Sequence, residues 1–103
     1  MMKIEKTPWY ALHAPENGLK FDKFYNSCHE EGVLDKVTKE LLSLALASVF
    51  RDAEGIEKHI KGALKAGATK TEITEVLLLT AAESANSQIK WAGNTYCKYI
   101  GQI

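Results

Sequence analysis

The sequence predicts an all-α fold, and three observations support this prediction. Apolar residues recur at helical spacing along most of the chain, no segment alternates polar and apolar residues over the length of a strand, and there are only two prolines. A length of 103 residues provides one modest core. We therefore predict one helical domain of about five helices over residues 19–103, preceded by an irregular arm over residues 1–18.

The N-terminal arm contains both prolines, Pro8 and Pro15, and the turn signal Asn17-Gly18. Its main apolar residues are Trp9, Tyr10 and Leu12. These side chains can pack either on the arm's own domain or on a neighbouring subunit.

The first helix is predicted over Leu19 to Glu31, with Gly32 as its end. Its apolar stripe consists of Phe21, Phe24, Tyr25 and Cys28, which follow the i, i+3, i+4, i+7 pattern. We therefore expect Cys28 to be buried.

The second helix is predicted to begin after Asp35 as its N-cap and to run to about Arg51. The segment LLSLALASVF within it carries no charge, so this helix must pack on several faces. Glu40 shares a helical face with Leu44 and Ala47. Its carboxylate should therefore point towards the interior or towards a partner.

The third helix is predicted from Glu54 to Ala66 and carries His59 at the rim of its apolar face. Gly67 should end this helix in a left-handed conformation, which glycine adopts without a Cβ penalty.

Two further helices are predicted in the C-terminal part of the chain. Thr69 and Glu72 form a capping-box pattern at the start of a helix from Lys70 to Glu83. A corner over residues 84–87 should precede the last helix, Gln88 to Ile100.

Composition argues against several classes of function. Thirteen basic residues balance thirteen acidic ones and Arg51 is the only arginine, so no nucleic-acid or anionic-membrane partner is expected. The N-terminus lacks the apolar core of a leader peptide and no stretch is apolar enough to span a membrane, so we expect a cytoplasmic location. The sequence contains no metal-binding or nucleotide-binding motif, and we expect no cofactor.

Glu40 and His59 are the predicted catalytic pair. Burying a carboxyl group disfavours its charged form, and such a group beside an imidazole can serve as a general acid or base. The alternative is structural: His59 makes a fixed hydrogen bond, and Glu40 is an acid favoured in the first turn by the helix dipole. Glu54 could act as a second proton donor or cap its helix, and Arg51 and Lys39 are the candidate anchors for a substrate carboxylate.

The runs GVLDKVTKELLSLALASV and KHIKGALKAGATKTEITEVLLLTAA resemble the carboxymuconolactone decarboxylase and alkylhydroperoxidase D-like family. The resemblance covers about Phe21 to Ala92 and implies an orthogonal helical domain that forms dimers, trimers or hexamers. It also implies a role for Glu40, because redox-active members have a relay glutamate nineteen residues before the histidine. Those members carry a Cys-x-x-Cys pair where this chain has Asp52 and Gly55.

Three functions are consistent with these features. The first is a cofactor-free, decarboxylase-like enzyme that uses Glu40 and His59 on a small organic acid or lactone. The second is a thiol-dependent peroxidase that uses Cys28 or Cys97, since a peroxidatic group must be a thiolate and Asp52 cannot serve. The third is a non-catalytic, oligomeric binding module. In all three we expect self-association, because five helices in a short chain leave apolar faces uncovered, and the family resemblance implies a trimer or hexamer.

Overall fold

The computed structural model describes residues 7–101, which form five helices and no strands. The helices are α1 (Trp9–His13), α2 (Pro15–His29), α3 (Lys36–Val49), α4 (Ala53–Lys65) and α5 (Lys70–Ile100). The all-α prediction is therefore confirmed. The chain divides after Val33 into two compact units, each of which has its own internal packing.

The first unit contains α1 and α2, so the predicted irregular arm is wrong for residues 9–18. Pro15 occupies the first turn of α2, where its missing N–H costs no hydrogen bond, and it begins a helix instead of preventing one. Gly18 is buried inside α2, and a Cβ there would lie 2.8 Å from the Cα of Ala11. The glycine thus allows α1 to approach α2 closely. Residues 1–6 of the predicted arm lie outside the described residues.

Tyr10 connects the two helices of this unit. Its ring meets the ring of Phe21 edge-on at 5.5 Å, and its hydroxyl donates a hydrogen bond to Asp22. That hydrogen bond raises the pKa of Tyr10, with smaller contributions from burial and from the charge of Asp22. The stripe along α2 is not buried, because the five-residue helix α1 is too short to cover it. Phe24 is 66% exposed and Cys28 is also exposed, so the predicted burial of Cys28 is wrong.

The second unit contains α3, α4 and α5, with α3 packed most extensively on α4. Its core consists of Leu44 and Ala63, which are fully buried, and of Ala68 and Ile73, which are nearly so. Apolar side chains of all three helices surround this core.

The turns of this unit follow local signals in the sequence. Asp35 caps α3 by accepting a hydrogen bond from the Thr38 N–H at 2.8 Å, and the Thr69–Glu72 capping box is complete at the start of α5. Gly67 has a φ of 106°, as its predicted left-handed position requires. The cap of α4 is Asp52, so the expectation that Glu54 caps this helix is wrong.

The last helix, α5, is continuous over 31 residues, and the predicted corner at residues 84–87 is wrong. Serine and asparagine favour caps but do not break a helix, and the flanking alanines and glutamate are good helix formers. The helix is about 46 Å long at 1.5 Å per residue. Its residues 81–100 are exposed apart from the partly buried Gly93.

Candidate active site

Glu40 and His59 meet in the interior of the second unit. Glu40 lies on the face of α3 that also carries Leu44, and His59 lies on the face of α4 that also carries Ala63. Packing these two apolar faces brings the polar side chains together, so that Nδ1 of His59 lies 2.9 Å from Oε2 of Glu40. The side chains are only 9% and 11% exposed. The sequence had placed Glu40 towards the interior or a partner and His59 at the rim of an apolar face, and the structure buries both and brings them into direct contact.

A single proton can occupy either end of this contact. His59 donates when the proton is on Nδ1, and Glu40 donates when the proton is on its carboxyl group. In either state the two groups hold one another in orientation. This is the arrangement that a general acid or base requires from a supporting residue.

Gly62 provides the space that the Glu40 carboxylate occupies. It follows His59 by almost one helical turn, and a Cβ at this position would lie 2.6 Å from Cδ of Glu40. Any side chain at position 62 would therefore displace the carboxylate. On its other side, Oε1 of Glu40 lies 4.0 Å from Nζ of Lys36.

Glu40 forms part of the wall of an open cleft of about 400 Å³. The lining residues are Lys36, Glu40, Gly62, Lys65 and Ala66. His59 is not among them, so Glu40 is the member of the pair that lines the cleft. A small molecule in the cleft would meet Glu40 first.

The other predicted site residues lie elsewhere. Glu54 is exposed in the first turn of α4, and Lys39 is half-buried on α3 outside the lining of the cleft. Arg51 follows α3 with a φ of 56° and lines a different cleft, together with polar residues of α5. Neither predicted anchor therefore lines the Glu40 cleft.

Asp52 and Gly55 occupy the positions at which redox-active relatives carry their cysteines. Here Oδ1 of Asp52 accepts a hydrogen bond from the Gly55 N–H at 3.0 Å, which caps α4. A Cβ on Gly55 would lie 2.9 Å from Cγ of Asp52, so the glycine fits closely against its own cap. The two positions form a helix start and contain no thiol. Cys28 and Cys97 are both exposed and form no disulfide.

Sequence reasoning missed four residues of the cleft: Lys36, Gly62, Lys65 and Ala66. A helical-phase signal was present for two of them, because Lys36 precedes Glu40 by four residues and Gly62 follows His59 by three. For Lys65, which faces the cleft from the last turn of α4, no signal in the sequence pointed to Glu40.

Residues 7–101 contain neither a candidate metal site nor a candidate membrane-spanning helix. They contain no group of three or more histidine, cysteine, aspartate or glutamate side chains placed to hold a metal ion. No helix in this range combines the length and apolar character needed to cross a membrane.

Comparisons with known proteins agree with the fold. The model of the carboxymuconolactone decarboxylase family matches residues 15–93. A protein of Paracoccus denitrificans, described as uncharacterized protein 4 in the cox locus, is 40% identical over 57 residues, which are 55% of this chain and 51% of that protein. The chain thus spans about half the length of this relative.

A solved structure extends the similarity to most of the chain. A crystal structure of a protein from Methanobacterium thermoautotrophicum, determined by the Northeast Structural Genomics Consortium, superposes with a TM-score of 0.76 at 28% sequence identity. The match covers 84% of this chain and 98% of that one. The two proteins share the same helical fold.

Proposed function

The chain belongs to the carboxymuconolactone decarboxylase family, and we propose that it acts on a small organic acid or lactone with Glu40 and His59 as its acid–base pair. The observation that supports this proposal most strongly is the 2.9 Å contact between Nδ1 of His59 and Oε2 of Glu40 at the wall of a cleft. A buried carboxylate paired with an imidazole resembles the proton-transfer arrangement of many enzymes that use no metal.

Glu40 is the group that exchanges a proton with the substrate, because it faces the cleft. In a decarboxylation, the bond between the reacting carbon and its carboxylate breaks and CO₂ leaves. The electron pair moves into an adjacent carbonyl to form an enolate, and Glu40 then protonates the carbon. Solvent then supplies one proton to His59, and His59 passes a proton from Nδ1 to Glu40, which restores the pair for the next turnover.

The proposal is tested with variants that preserve shape while removing proton transfer. We expect Glu40→Gln and His59→Gln to lower the turnover of carboxymuconolactone, the compound after which the family is named, by about 10²- to 10⁴-fold. The matched control is Glu57→Gln, which makes the same change in an exposed ion pair with Lys61 on α4 and should leave turnover unchanged. Full turnover in both site variants would refute the acid–base role.

A second candidate function is suggested by the exposure of both cysteines. An accessible thiol can react with a peroxide if it forms a thiolate, which would make this chain a thiol-dependent peroxidase. We would measure peroxide reduction in the parent and in the Cys28→Ser/Cys97→Ser double variant. Activity that disappears in the double variant would support the peroxidase, whereas activity that persists would exclude thiol chemistry.

The non-catalytic alternative makes a different prediction. A binding module that has kept only the scaffold would lose stability on Glu40→Gln or His59→Ala, because each change disturbs a buried contact. It would turn over neither carboxymuconolactone nor peroxide in any form.

A further inference from the structure

We infer that Lys36 and Lys65 bind a carboxylate group of the substrate in the cleft beside Glu40. This inference rests on the proposed function, because it assigns a substrate class to the same site. It replaces Arg51 and Lys39, the anchors expected from the sequence, by two lysines that line the cleft.

The charges of the cleft favour an anion. Three of its five lining residues are charged, and the two lysines outnumber the single carboxylate of Glu40. Glu40 is already paired with His59 through Oε2, while Nζ of Lys36 lies 4.0 Å from Oε1, which is longer than a hydrogen bond. Lys36 can therefore direct its ammonium donors towards a ligand.

The positions of the two lysines also favour a bound anion. Lys36 is the first residue of α3, where the helix dipole is positive, and the ammonium of Lys65 offsets the negative end of the α4 dipole in the last turn of that helix. Two ammonium groups from different helices can hold one carboxylate between them. Asp35 is the acidic residue next to Lys36 in the sequence. Its carboxylate accepts a hydrogen bond from the Thr38 N–H as the cap of α3.

The remaining walls set the size of the ligand. Gly62 and Ala66, which have little or no side chain, line the cleft beside Glu40. A volume of about 400 Å³ lies near the lower end of the range for small-molecule sites, roughly 300 to 1,000 Å³. The cleft therefore fits a small carboxylate, and the lysines offset the repulsion between this anion and Glu40.

The test uses benzoate and benzamide, two probes of nearly equal size that differ in charge. Each is titrated into the full-length, isotope-labelled protein while the backbone amide resonances of Gly62 and Ala66 are followed by nuclear magnetic resonance. We expect benzoate to shift these resonances with at least tenfold higher affinity than benzamide, and we expect added salt to weaken the binding of benzoate.

Charge-removing variants identify the residues responsible. We expect Lys36→Gln and Lys65→Gln each to weaken benzoate binding by about two- to fivefold, the upper part of the range for exposed ion pairs. Lys90→Gln, which removes the same charge from the exposed part of α5, should bind benzoate like the parent. Equal binding of the two probes, or an equal loss in Lys90→Gln, would overturn the inference.

The same variants separate this inference from the proposed function. If Glu40→Gln abolishes turnover but Lys36→Gln and Lys65→Gln leave both benzoate binding and turnover intact, only the carboxylate site is wrong. If benzoate binding depends on the lysines while Glu40→Gln and His59→Gln retain turnover, the site remains and the acid–base proposal fails.

Discussion

The packed pair α3–α4 and the C-terminal part of α5 differ in how they cover their apolar residues. Where α3 packs on α4, Leu44 and Ala63 are fully buried. The polar contact between Glu40 and His59 lies on the same buried faces of these two helices. Along residues 81–100 of α5, large apolar side chains face outward instead, such as Trp91, which is 77% exposed, and Tyr99, which is 74% exposed.

This difference suggests separate tasks for the two regions. A chemical site needs side chains held in one orientation, and close packing in α3 and α4 provides this. An uncovered aromatic face is typical of a surface that binds another molecule. Self-association of this chain stays a prediction, and α5 is the region that we expect to carry the contact.

The largest expected effect is a loss of stability when a buried side chain between α3 and α4 is shortened. Leu44→Ala should lower the free energy of unfolding by about 2–5 kcal/mol, because it leaves a cavity in a fully buried position. Trp91→Ala should instead lower the mass measured by sedimentation, because it weakens association between copies, with little effect on the helix content of each chain. Chemical denaturation at fixed protein concentration measures the effect of Leu44→Ala. A small loss in Leu44→Ala would show that the core is not centred where the structure places it.

The next effect compares two glycines in helices of the two regions. A Cβ at Gly62 would meet the Glu40 carboxylate, whereas a Cβ at Gly93 would meet no described atom within 4 Å. We expect Gly62→Ala to lower turnover at least tenfold by displacing Glu40, although the carboxylate remains in the chain. Gly93→Ala should raise the free energy of unfolding by about 0.5–1 kcal/mol, because alanine loses less entropy in a helix.

Turnover and thermal unfolding of both glycine variants, measured side by side, test this comparison. If Gly62→Ala keeps full activity, the close fit between Gly62 and Glu40 does not matter for catalysis. If Gly93→Ala is destabilising, α5 is covered at that position by another copy, and the loss should depend on protein concentration.

The smallest effect concerns the cap that starts the packed region. Hydrogen bonds from the side chain and backbone of Thr38 hold the pKa of Asp35 below its ordinary value of 3.8. A lowered pKa means that the folded state favours the charged carboxylate. The resulting stabilisation is present above about pH 3.8 and is lost as the pH falls through the lower pKa of the folded state.

Asp35→Asn keeps a side-chain acceptor for the cap but removes this titration. Its free energy of unfolding should therefore depend less steeply on pH than that of the parent between pH 4 and pH 2, as measured by denaturant titration. Parallel curves for the two proteins in this range would contradict the role assigned to Asp35.

Features that depend on neighbouring residues could be predicted from the sequence. The Asp35 cap, the Gly67 helix end and the Thr69–Glu72 capping box were all correct, because each signal lies within one helical turn. The same reasoning failed at residues 84–87, where cap-forming residues lie inside a helix. A polar residue that can cap a helix does not force it to end, and good helix formers on both sides allow the backbone hydrogen bonds to continue.

The sequence by itself determined the all-α class, the apolar face that carries Glu40 and the position of His59 at the rim of another, since these follow from the period of 3.6 residues per turn. Only the tertiary structure decided that Nδ1 and Oε2 lie 2.9 Å apart, that Gly62 makes room for the carboxylate and that Lys36 and Lys65 share its cleft. The reason is physical: helical phase fixes the direction of a side chain around its own axis, but the packing of one helix on another decides which side chains it meets.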